Sequence, residues 1–109
     1  MRDVTAADAL RAEASRLREG ARALRAGAED LDTEVRGVAA HYPVPSPTMW
    51  SGPAADAFAT GLTGARAALG AVARDVVAHA EHCEALAAAR ERQADQLELA
   101  ARAAALDPS

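Results

Sequence analysis

The chain has 109 residues, is 50% hydrophobic but only 3% aromatic, and carries a formal charge of −4, which leaves room for one domain with a thin interior. The acidic balance argues against a nucleic-acid partner, which would require clustered positive charge, and no run is apolar enough for stable insertion in a bilayer. One cysteine cannot close an internal disulfide, so the redox compartment is not readable from it.

Alanine supplies most of the apolar fraction, with leucine and valine as the main larger side chains and a single Phe, Tyr and Trp. Such a composition makes narrow helix-on-helix seams. The 12 basic residues are all arginine and interleave with 16 acids, as on solvated helix faces. Met1-Arg2-Asp3-Val4 leads into no continuous apolar run, so no cleaved secretory signal is expected.

The first expected element is a helix over about 5–41. Thr5 and Asp8 have capping-box spacing, with Asp in place of Glu or Gln. Ala7, Leu10, Ala14, Leu17, Ala21, Leu24, Ala28, Leu31, Val35 and Val38 then alternate in steps of three and four, and Tyr42 continues the series. This is a coiled-coil type of seam in which alanine lets a second helix approach closely. Arg11, Glu13, Arg18 and the other charges between seam positions are assigned to water-facing surfaces. Gly20, Gly27 and Gly37 each cost about 1 kcal/mol relative to alanine within a helix. Gly20 and Gly27, one heptad apart beside the seam, read either as a smooth strip for another helix or as tolerated surface glycines.

The helical pattern stops at Tyr42. Pro43, Pro45 and Pro47 restrict their preceding residues to extended conformations, so 42–52 is the connector. It ends in Trp50-Ser51-Gly52, with Ser51 or Gly52 placed to cap a second helix and Pro53 suited to its first turn. Trp50 is expected to pack over the hairpin end, to contact a partner, or both.

The second helix is expected over about 53–104, followed by a short tail. Phe58, Leu62, Ala65, Leu69, Val72, Val76, Cys83, Leu86 and Leu97 mark its apolar stripe, with Phe58 as a core anchor. Beyond Val76 a strict heptad meets His79, Arg90 and Gln93, whereas a helix drifting at 3.6 residues per turn presents Ala80, Ala87 and Ala94, and the helix is expected to follow the alanines. Gly61 and Gly64 form another small-residue strip. The segment beyond about Arg92 is expected to fray for want of an opposing helix.

The resulting fold class is all-α, an antiparallel hairpin of two long amphipathic helices. Two narrow stripes barely offset the ordering entropy of about 100 residues, so a partner is expected. The strips around Gly20, Gly27, Gly61 and Gly64 are the candidate dimer face, most simply in a four-helix bundle.

Two helices joined by Trp50-Ser51-Gly52, with the local run Trp-Ser-Gly-Pro-Ala-Ala-Asp-Ala-Phe, resemble the WXG family of ESAT-like proteins exported by type VII (ESX) secretion systems. The resemblance implies that Trp50 and Gly52 form the hairpin turn, that hairpins pair as homodimers or heterodimers, and that the motif helps the secretion machinery recognise the pair. It implies no enzymatic activity and no cofactor. The family's usual Tyr-x-x-x-Asp/Glu signal after the second helix is missing, since the only tyrosine, Tyr42, precedes Trp50. A heteromeric partner then supplies the export signal, or the chain is a companion that does not direct export.

Two functions follow. One is an export substrate or partner, made in the cytoplasm and secreted without a cleaved signal, pairing with itself, a WXG-like protein or a toxin's N-terminal domain. The other is a cytoplasmic adaptor or chaperone that sequesters an amphipathic helix of a client. His79, His82 and Cys83 share a helix face, but a closed zinc site needs a fourth ligand and His41 belongs at the turn end, so no metal site is expected. A two-helix hairpin also lacks an enclosed pocket for Cys-His catalysis.

Overall fold

The computed structural model describes residues 2–41 and 51–106, with side chains described over 5–37 and 51–106. These residues form two helices, α1 (Arg2–His41) and α2 (Pro53–Leu106), of 40 and 54 residues. Helix α1 begins earlier than the Thr5 cap suggested, because Arg2-Asp3-Val4 contains neither glycine nor proline to prevent another turn. Helix α2 starts at Pro53 as expected and ends at Leu106, slightly beyond the expected end, with Pro108 following in the sequence.

The start of α2 has a definite cap. The amide of Asp56 donates to the Gly52 carbonyl at 3.0 Å, the first i to i−4 bond of the helix. Gly52 therefore occupies the N-cap position, and its φ of +108° is accessible to glycine because it has no Cβ. Asp56 lies in the first turn, with the sign the helix dipole favours. Trp50 and the rest of 42–50 lie outside the described residues.

The chain forms two compact units. The first combines Met1–Leu24 with Ala78–Ser109, so the beginning of α1 packs antiparallel on the end of α2. Its interior is made of methyl groups: Ala7, Ala14 and Ala21 on α1, and Ala80, Ala87 and Ala94 on α2, none more than 2% exposed. Leu10, Leu17, Leu24, Cys83, Leu86 and Leu97 are half-buried at the edges. The helix follows the alanines at 80, 87 and 94, as the drift argument required.

The expected fraying beyond Arg92 is not found. That expectation took a first helix ending near Ala40 to leave little opposite the end of α2. Instead Arg11 meets Asp95 and Glu98, so the last turns of α2 have α1 opposite them.

The second unit, Arg25–Val77, buries Ala28 and Ala55. Leu31, Val35, Ala59, Leu62, Arg66, Gly70, Ala73, Val76 and Val77 are half-buried around them. Phe58, Leu69 and Val72, expected on the covered stripe, are instead 41%, 39% and 49% exposed. The covered face is turned by about one residue, some 100°, toward Ala59, Gly70 and Ala73. Small side chains admit a close-packed neighbour, and the larger ones are then carried to the flank. Val38 lies outside the described side chains.

Candidate helix-pairing surfaces

In the first unit the alanine seam is flanked by charges that cross between the helices. Arg11 donates to Asp95 Oδ1 at 2.9 Å and also to Glu98, while Arg18 donates to Glu91. Arg90 Nε donates to Glu13 Oε1 at 3.2 Å, and Arg90 Nη1 to Gln93 Oε1 at 3.1 Å. Glu98 lies 4.0 Å from Arg102 as well. Assigning Arg11, Glu13 and Arg18 wholly to water was therefore incomplete: each is half-buried, with its aliphatic stem over the seam and its charged end bridging the helices.

The pairing shifts the proton affinities of Arg11 and Glu98. The hydrogen bond from Arg11 holds the Glu98 carboxyl below its ordinary value, against a smaller opposing effect of desolvation. The hydrogen bonds to Glu98 and Asp95 push the guanidinium of Arg11 above its ordinary value.

The second surface lies on α2. Phe58, Ala65, Leu69 and Val72 fall on one face at helical spacing, and all are exposed. Gly61 lies among them, and Gly64 contributes to an open groove with Ala59, Thr60 and Thr63. Arg66 is the one charge between Asp56 and Arg74. It belongs to the half-buried stripe, where its Nε is buried without a hydrogen-bond partner among the described residues.

The glycines proposed for a dimer face are exposed at positions 20, 27, 61 and 64. Among the described residues a Cβ added at any of the four would meet nothing within 4 Å. Close packing against those residues therefore does not account for them. Ser51 and Gly52 are exposed at the start of α2.

His79 and His82 lie on one side of α2 with ring centroids 6.4 Å apart and planes tilted by 38°, both exposed, while Cys83 is half-buried. Among the described residues no three or more of His, Cys, Asp and Glu gather around a common point suited to a metal ion. No described helix is long and apolar enough to cross a membrane. No protein-family model, curated protein or solved structure matches this chain.

Proposed function

We propose that this protein is a small substrate or export partner of a type VII (ESX) secretion system, acting by helical pairing with itself, a related WXG-like hairpin or the N-terminal domain of a toxin. The observation that carries this reading is the left-handed Gly52 at the N-cap of α2. It gives the glycine of Trp50-Ser51-Gly52 a conformational reason to be there, at the junction where the family resemblance requires it. The apolar face of Phe58, Leu69 and Val72 supplies the surface for pairing, and the unobstructed glycines at 61 and 64 would allow a close approach.

On this reading the protein is made in the cytoplasm and exported as a folded pair. Pairing by exposed helix faces calls for no catalytic group, cofactor or metal.

Secretion and assembly test the proposal together. In a host with a type VII system, the protein should accumulate in the medium, with export lost in Trp50→Ala and retained in Arg36→Ala, a change at an exposed side chain. Native mass spectrometry, with and without the neighbouring gene product, should show a dimer. Retention in the cytosol regardless of secretion competence would favour the adaptor that sequesters a client helix, and a strictly monomeric protein under both conditions would defeat helical pairing.

A further inference from the structure

The alanine seam repeats so regularly that it does not define its own alignment. Ala7, Ala14, Ala21 and Ala28 recur every seven residues on α1, as do Leu10, Leu17, Leu24 and Leu31 and Arg11, Arg18 and Arg25. On α2 the same interval separates Ala73, Ala80, Ala87, Ala94 and Ala101, and also Glu84, Glu91 and Glu98. Sliding one helix past the other by seven residues therefore sets alanine against alanine and arginine against glutamate again.

Helix length and connector do not prevent such a slip. Helix α2 has 54 residues to the 40 of α1, so it can lose overlap at one end and gain it at the other. A slip that carries the end of α1 toward the start of α2 shortens the distance residues 42–52 must bridge, by about 10 Å for one heptad, so the connector permits it.

Among the charge contacts that flank the seam, Glu13–Arg90 breaks the repeat. Glu13 is followed at seven-residue intervals by Gly20 and Gly27, while Arg90 is flanked at the same interval by Cys83 and Leu97. Their bond of 3.2 Å joins side chains that are 44% and 33% exposed, and Gln93 holds the guanidinium from its other side. A slip of one heptad would set Arg90 against Ala6 or Gly20, and Glu13 against Cys83 or Leu97. Each charge would then be half-buried without its mate. Asp95 is a second non-repeating charge, but at 67% exposure its bond to Arg11 is more strongly screened.

We infer that Glu13–Arg90 is the register lock of the hairpin: the pair selects one of several alignments that the alanine seam accepts almost equally. Charge pairs flanking the seam of a coiled coil likewise set how its helices align. The inference concerns pairing within one chain and stands whether or not the protein is exported.

Electron paramagnetic resonance distances provide the test. Spin labels go on Ala9→Cys and Ala85→Cys, two exposed positions within the first unit, in a Cys83→Ala background. Labelled protein is diluted into unlabelled protein so that only distances within a chain are read. The parent should give one distance population. E13A/R90A should add a second population of comparable size, from an axial shift of about 10 Å. The charge-swapped E13R/R90E should return to one. E13A/R90L, which keeps the seam apolar, should also show two populations and covers the case in which E13A/R90A fails to fold. A single, parent-like population in E13A/R90L, or two in E13R/R90E, would overturn the inference.

Discussion

At the scale of single residues, Gly52 and Glu98 are held in conditions that their substitutes would not tolerate. The φ of +108° at Gly52 strains any residue with a Cβ, even though a Cβ there would meet nothing within 4 Å among the described residues. Gly52→Ala should therefore lower stability by about 1–3 kcal/mol, measured by urea denaturation, and the loss should come from backbone strain alone. Glu98 responds to pH instead. Its folded-state carboxyl is held below the ordinary value of 4.5, first by the bond from Arg11. Its contribution is therefore complete above that value and is lost as the pH falls through the lower, folded-state value. Arg11 stays charged throughout the accessible range and adds no pH dependence of its own. Between about pH 5 and about pH 3, the melting temperature of the parent should fall more than that of Glu98→Gln. An equal fall in both would show that the carboxyl's bond to Arg11 has no share in acid sensitivity.

At the scale of the helices, methyl groups control how closely α1 and α2 approach. Ala87 is fully buried in the seam, so Ala87→Leu should destabilise by about 1–3 kcal/mol, even though leucine is more apolar and forms helices well. The check is again a urea titration. Gly61→Ala and Gly64→Ala should act in the opposite direction, each adding about 0.5–1 kcal/mol, because a Cβ meets nothing there. If a partner helix seats on this strip, the same substitutions should weaken the dimer in sedimentation experiments while raising the stability of the chain. The two helices were legible in the sequence because prolines interrupt helices and the apolar period is regular, while the cap was legible only as Ser51 or Gly52. In the first half of α2, Leu62 and Val76 lie on the half-buried side as expected, but Phe58, Leu69 and Val72 were misread because they outweighed their small neighbours in any hydropathy pattern. The better signal was Ala73, Ala80, Ala87, Ala94 and Ala101 at intervals of seven, matching the alanines of α1. The charge pairs were legible only as two periodic series, Arg11 and Arg18, and Glu91 and Glu98. Which members meet depends on alignment, and the unusual connector hides that from composition and spacing.

At the scale of the whole molecule, the fully covered residues are all alanine among the described side chains, and so thin an interior is the physical ground for expecting a partner. The methyl-lined interior also sets the thermal behaviour of the isolated chain. Unfolding wets little new hydrocarbon, so the heat-capacity increment should fall below the usual 12–15 cal/mol/K per residue, which is about the globular norm. Calorimetry should then record a shallow, broad melt whose midpoint moves several degrees for each small change in free energy. A protein built this way loses little on cooling and resists heat poorly by itself, so temperature would govern how much of it is folded at any moment far more gradually than in a chain with a thick hydrocarbon centre.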